Sequence, residues 1–186
     1  GGFGFGRYGV APNGVLDNVA MRIANLLVDN PEEEAVLEIT LPGFTATVLT
    51  DVVMAVTGAD LGWHRNDRSL RMWRSHRFQK GDAIAFRDLN CGCRAYLSVG
   101  GGWEVPEIMG SKSTNLSSGF GGLDGRQLQK GDVLWSVSPQ CHLGAAGHKC
   151  LTIGREGQTT LVHIGTRVGQ DPTAVGGIDD KSGVEV

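Results

Sequence analysis

Apolar side chains return at helical spacing at Leu16, Val19, Ala20, Ile23, Leu26 and Leu27, and the stripe they draw predicts an amphipathic helix laid on a core. The turn Ala11-Pro12-Asn13-Gly14 precedes it, with Asn13 or Asp17 as the expected acceptor for the unpaired amides of its first turn. Asn30-Pro31 ends it, because the residue before a proline is pushed out of the α region. The period then drops to two or to short apolar runs at 35–41, 44–49 and 52–56, broken by Pro42-Gly43 and Thr50-Asp51; these read as strands. Thr57-Gly58-Ala59-Asp60 reads as a turn closing a hairpin. A mixed segment follows, with Trp63, His64, Trp73 and His76 among Arg65, Arg68, Arg71, Arg74 and Arg77, and predicts a hairpin with a solvated face.

A short local repeat is the most informative internal feature. Phe78-Gln79-Lys80-Gly81-Asp82-Ala83-Ile84 is echoed by Leu128-Gln129-Lys130-Gly131-Asp132-Val133-Leu134, in which a glycine suited to positive φ feeds an alternating strand. Two similar barrel corners are expected. Residues 94–99 form a strong strand ended by Gly100-Gly101-Gly102, where close backbone approach is the expected reason for three missing side chains. A serine-, threonine- and glycine-rich loop at 110–125 leads to the second copy of the turn. Composition shifts near residue 138, which is the expected boundary of a first unit at 1–138. Residues 139–186 then read as a linker and the beginning of a second, truncated unit. The chain opens without methionine and closes on an apolar run, so it reads as a piece of a longer protein lacking its first strands.

With 186 residues and 40% hydrophobic content, the chain can bury one core. The formal charge of −3 leaves no broad basic face, which argues against nucleic acid as partner. No apolar run suggests a membrane span and no signal peptide is seen, so the expected location is cytoplasmic. The four cysteines are too few for a disulfide-stapled module and are expected to be reduced. Cys91-Gly92-Cys93 with Cys141, His142, His148 and Cys150 offers zinc-ligand types, but the spacing is wrong for a knuckle and no metal is expected.

Other candidates are weighed against simpler roles. Ser111-Lys112 could act as a nucleophile pair, although neighbours on a loop rarely point to one place, and turn-forming serines are the simpler reading. The stretch from Gly119 to Arg126 has amides and a cation suited to an anion, without the ending of a P-loop; a structural turn is the competing reading. Glu38 alternates with Leu37 and Ile39 and faces either a barrel mouth or water, with water preferred from its pattern alone. No catalytic residue can be singled out.

The same residues carry a family pattern. Gly9-Val-Ala-Pro-Asn-Gly14, Leu16-Asp17, Ala24-Asn25-Leu-Leu-Val-Asp-Asn30-Pro31, Leu37-Glu38-Ile-Thr-Leu41, Thr57-Gly-Ala-Asp60, Arg94-Ala-Tyr-Leu97, Gly101-Gly102, Val105-Pro106, Gly110-Ser-Lys-Ser-Thr114 and Gly125-Arg126 occur in order. The chain resembles the KipA family, also known as biotin-dependent carboxyltransferase-like proteins, allophanate hydrolase subunit two, or PxpC, the C subunit of 5-oxoprolinase. The likeness runs from about Gly6 to Leu134. It departs at the first turn, where Ala11 and Asn13 replace the family's usual proline and serine.

The resemblance implies a mainly β fold, a cyclophilin-like closed β-barrel with one or two helices. It implies a subunit of an ATP-dependent 5-oxoprolinase that opens a lactam to glutamate, working with a KipI-like (PxpB) partner and a LamB/YcsF-like (PxpA) third subunit. ATP would be a substrate of that complex. One alternative is a carboxyltransferase of the urea carboxylase or urea amidolyase type, supplied with carboxybiotin on a separate carrier. Another is a regulatory protein that sequesters a KipI-like sensor-kinase inhibitor. In the first two cases the substrate is a small amide or lactam. Substrate-binding or loop-organising positions are then Asn13, Asp17, Asn25, Glu38, Asp60, Arg94, Ser111, Thr114 and Arg126, and an oxyanion or anion loop would use Gly101, Gly102, Gly121 and Gly122.

Overall fold

A computed structural model describes residues 14–137, 148–155 and 161–165. Among these residues lie helix α1 (Asn18–Leu26) and eleven strands: β1 (Val36–Thr40), β2 (Phe44–Val48), β3 (Val52–Asp60), β4 (Trp63–Arg65), β5 (Arg68–Ser69), β6 (Ser75–Phe78), β7 (Ala83–Phe86), β8 (Cys91–Val99), β9 (Val133–Ser136), β10 (His148–Arg155) and β11 (Leu161–Gly165). The fold class is mainly β, as expected. The closed barrel is not what forms: the strands make two sheets, ordered β11-β1-β8-β3-β6 and β5-β4-β7-β2-β10-β9.

Alternation explains the layering. Leu37 and Ile39 of β1, Met54 and Val56 of β3, and Ala95, Leu97 and Val99 of β8 turn to one side of the first sheet, where they meet Phe44, Ala46 and Val48 of β2 and Ile84 and Phe86 of β7 from the second. On the other side, Val36 and Tyr96 pack with Val15, Ala20, Met21 and Ala24 beneath the helix. Helix, sheet and sheet make three layers with apolar contacts at both junctions.

The helix lies in the expected place with a different face down. Ala20, Met21, Ala24 and Asn25 are buried, whereas Leu16, Val19 and Leu26 are 68%, 65% and 53% exposed. Two polar attachments set this rotation. Thr57 Oγ1 of β3 donates to the Ala20 carbonyl at 2.6 Å, and Ser98 Oγ of β8 donates to Asn25 Oδ1 at 2.6 Å. Small side chains at Ala20 and Ala24 allow the backbone to come that close.

Strand β3 is longer than its hydrophobic run. It continues through Thr57-Gly58-Ala59-Asp60, the segment expected to turn, and ends against Cys91 of β8. Buried Thr57 can stay in the strand because its hydroxyl has the helix carbonyl as partner.

The two copies of the turn motif do make equivalent corners. Gly81 N donates to Val48 O (2.8 Å) and Val48 N to Asp82 O (2.9 Å); Gly131 N donates to Ile153 O and Ile153 N to Asp132 O (both 2.9 Å). Their targets, β2 and β10, are neighbours in the second sheet, and β7 and β9 flank them. The boundary expected near 138 is therefore not where pairing stops: β10 sits between β2 and β9, and β11 pairs with β1. The apolar alternation of β10, with Leu151 and Ile153 buried, belongs to the same core.

This packing separates costly substitutions from cheap ones. Asn30, nearly buried, donates to Val99 O (2.7 Å) and accepts from Gly101 N (2.8 Å), so Asn30→Ala strands two backbone groups and should lower stability by about 2–4 kcal/mol in urea unfolding. Arg22→Ala, which removes the half-exposed pair with Glu32, should cost less than about 1 kcal/mol in the same assay. The glycines divide similarly: a Cβ on Gly121 would collide with Ser113 O, whereas one on Gly131 meets nothing within 4 Å, both at positive φ. Gly131→Ala should cost about 1–2 kcal/mol from backbone strain alone, and Gly121→Ala clearly more.

Candidate functional site

Four of the proposed positions come together where α1 begins above the first sheet. Asp17 caps the helix, its carboxylate accepting from Val19 N (3.0 Å) and Ala20 N (2.9 Å). Its own amide donates to Tyr96 Oη at 3.0 Å. Glu38 stands directly opposite Tyr96 in the β1–β8 pairing and is 0% exposed, so it faces neither a barrel mouth nor water. It accepts from Leu16 N at 3.2 Å and pairs with Arg94, Nε to Oε1 at 2.9 Å. The Tyr96 hydroxyl is also hydrogen-bonded to it.

Burial dominates the electrostatics here. It raises the Glu38 carboxyl from its ordinary 4.5 to about 7, against the lowering effect of the Leu16 amide, Arg94 and Tyr96. Desolvation, then the neighbouring Glu38 charge, pushes the Tyr96 phenol well above its ordinary value. Tyr96 therefore remains a protonated donor, and Glu38 changes charge near neutral pH.

Above this cluster opens a cleft of about 910 Å³. Asp17, Asp60, Arg71, Trp73, Arg94 and Tyr96 are among its walls. Glu38 lies behind that wall and reaches the cleft through Arg94, whose side chain is 20% exposed. The Arg94 guanidinium is held by Nε on Glu38, while Nη1 lies 3.7 Å from Cys93 Sγ. Its outer edge is a fixed, partly desolvated cation suited to a carboxylate or a developing oxyanion. Asp60 Oδ1 accepts from Gly62 N at 3.0 Å and shapes the cleft at the end of β3.

The remaining positions have other employment. Asn25 is buried, joined to Ser98, and donates Nδ2 to Glu34 O at 2.7 Å, which fixes the helix end. Gly101 N is taken by Asn30, and Gly102 N donates to Val99 O at 3.0 Å, so neither amide points to a free oxyanion position. A Cβ on Gly102 would meet the Glu34 side chain, with Cγ at 2.6 Å, so the space beside that glycine is filled by a side chain and not by a neighbouring backbone. Ser111 Oγ accepts from Ser113 N, and Lys112 is paired with Glu34 at 2.6 Å. Gly121 and Gly122 pack against Ser113 and buried Thr114, leaving no room between them for a ligand.

Arg126 forks onto Asp132 at 2.7 and 2.9 Å and holds that carboxyl below its ordinary value through these hydrogen bonds. It staples the second corner to the glycine loop, which is therefore a structural turn and offers no free cation for a phosphate. Asn13 lies outside the described residues, as do Cys141 and His142. Among the described residues no group of three or more metal-ligating side chains converges, and no helix is long and apolar enough to cross a membrane.

Tyr96, Asn30 and Ser98 were not among the site positions expected from the sequence. The signal for two of them was present, since Arg94, Tyr96 and Ser98 alternate with Ala95, Leu97 and Val99 and so mark one polar face of a buried strand.

Known proteins resemble this chain in sequence and in fold. The family model described as carboxyltransferase domain, subdomain A and B, matches residues 8–169. The C subunit of 5-oxoprolinase from Escherichia coli K12 is 42% identical over 133 residues, covering 70% of this chain and 42% of that protein. A urea amidolyase from Lachancea kluyveri is 36% identical over 137 residues, covering 74% of this chain and 8% of that protein. The crystal structure of the Kluyveromyces lactis urea carboxylase superposes with a TM-score of 0.69 at 34% identity, over 78% of this chain and 13% of that one. The chain thus spans less than half the length of each of these relatives. A match over most of its residues, joined to the likeness in fold, makes the chain a member of the carboxyltransferase domain family, subdomain A and B.

Proposed function

We propose that this carboxyltransferase-like chain works as part of a 5-oxoprolinase, in which a lactam is opened to glutamate at the expense of ATP. The observation that carries the reading is the 42% identity to the C subunit of a 5-oxoprolinase, with Arg94 and its buried supports at the cleft wall as the chemistry. Arg94 holds the substrate carboxylate or the carbonyl oxygen of the ring amide, on which negative charge grows as the C–N bond is attacked. Glu38 is a positioning residue: it orients the guanidinium through Nε, and Tyr96 and the Leu16 amide orient Glu38 in turn.

The glycine loop is a poor fit for the nucleotide, since Arg126 is occupied by Asp132 and the loop is filled by Ser113 and Thr114; in this reading the phosphates fall to the KipI-like or LamB/YcsF-like partners. A second reading, carboxyl transfer, is favoured by the urea carboxylase superposition. There the apolar walls Leu70, Met72 and Trp73 would receive the ring of carboxybiotin from a carrier and Arg94 its carboxylate; the cofactor supplies an activated carboxyl group.

The full-length protein, co-expressed with KipI-like and LamB/YcsF-like subunits, should form glutamate from 5-oxoproline and ATP. Arg94→Gln should lower that rate about 10–100-fold while the complex still assembles on size exclusion. Carboxyl transfer to urea without lactam turnover would replace the first reading by the second, and neither activity would remove both.

Ionised Glu38 is the form that pairs with Arg94, so activity should rise with pH through about 7, and Glu38→Gln should flatten that limb. Stability moves the other way. A carboxyl whose folded value lies above its unfolded value binds its proton more tightly in the native state; its stabilising contribution is complete below 4.5 and is lost as pH rises through about 7. Unfolding free energies should therefore show a decline of at most about 3 kcal/mol over that window in the parent protein, absent in Glu38→Gln.

A further inference from the structure

The register between β3 and β8 breaks at the cleft. Gly58 pairs with Ala95, yet Asp60, only two residues on, pairs with Cys91, so β8 carries extra residues here. Gly92 takes up the excess at φ +77°, with the position of its absent Cβ only 2.7 Å from the Ala59 Cβ. A bulge of this kind bends a strand and re-aims its side chains. Cys91 and Cys93 are both free and exposed, and both line the cleft. Cys93 Sγ lies against Arg94 Nη1, the same guanidinium that Glu38 holds from behind.

We infer that Cys91 and Cys93 form a dithiol that closes reversibly to a disulfide on the rim of the cleft. Two residues of extended chain span at most about 7 Å between Cα atoms, close to the upper edge of the roughly 4.4–6.8 Å that a disulfide bridges. A left-handed glycine between them shortens that span, and its lack of a side chain leaves the two thiols unobstructed. Nothing needs to unfold for closure, because both groups are already at the surface.

The partner in the reaction is a small disulfide such as oxidised glutathione. The thiolate of one cysteine attacks a glutathione sulfur, forming a mixed disulfide and releasing one glutathione thiolate. The thiolate of the other attacks the protein sulfur of that bond and releases the second. The two cysteines give up two electrons and two protons, and one oxidised glutathione becomes two reduced ones. Closure draws the Cys93 sulfur toward Cys91 and away from Arg94, which ties the cation at the cleft wall to the thiol balance of its surroundings. This holds whichever substrate the cleft receives.

The test is a glutathione titration of the purified full-length protein followed by tryptic mapping. Cleavage after Arg87 and Arg94 places both thiols in one peptide, Asp88–Arg94, away from Cys141 and Cys150. Oxidised glutathione should make that peptide lighter by two hydrogens with no adduct, and excess reduced glutathione should restore it. Cys91→Ser and Cys93→Ser, both at exposed positions, should each stop at a mixed disulfide. A peptide that stays reduced, carries two glutathiones, or pairs with Cys141, Cys150 or a second chain would overturn the inference.

Discussion

A carboxyl group wholly out of water has to find its partners inside the protein, and those given to Glu38 join the helix to the sheet. The Leu16 amide comes from the segment entering α1, Tyr96 and Arg94 from β8, and Glu38 itself from β1. Tyr96 extends the arrangement by accepting from Asp17, the residue that caps the helix. One buried oxygen pair thus fixes where the helix starts, how it sits on the sheet, and which way the cation at the cleft wall points. Its burial also puts its titration near neutrality, so the same contact that orders the site makes it sensitive to pH.

The other end of the helix is fixed by amides instead of charge. Asn25 and Asn30 share Ser98 between them, and Asn30 goes on to the Val99 carbonyl and the Gly101 amide. With Thr57 in the middle, the hydroxyls of Thr57 and Ser98 beneath α1 decide its rotation, and they do so against the larger apolar residues. Leu16, Val19 and Leu26 remain exposed because turning them down would break these bonds and push the helix away from the sheet.

How much could be read from the chain alone follows from this. Strand β2 was legible because its alternation has one cause, the core between the sheets, and β1 was legible as a short run covered on both faces, by that core and by the helix. The duplicated Gly-Asp corners were legible because a turn is a local event. The helix face and the continuation of β3 were not, since both depend on polar partners far along the chain: Thr57 meets Ala20, and Asn25 meets Ser98. The family pattern marked Asp17, Glu38, Asp60 and Arg94, which do share one region, but it equally marked Asn25, Gly101 and Arg126, whose contacts serve architecture. A motif records that a residue matters without distinguishing these two reasons.

The paired corners have a consequence for how the molecule is made. Strand β2, near the start of the chain, lies beside β10, about a hundred positions later, and one corner clasps each. As the polypeptide leaves the ribosome, β2 has no neighbour on that side until almost all of the described chain has been synthesised. Its open edge and the apolar side chains it carries stay available to chaperones or to other nascent chains for most of that time. Assembly of the second sheet is therefore a late, long-range event, whereas the meeting of β3 with β6 can precede it.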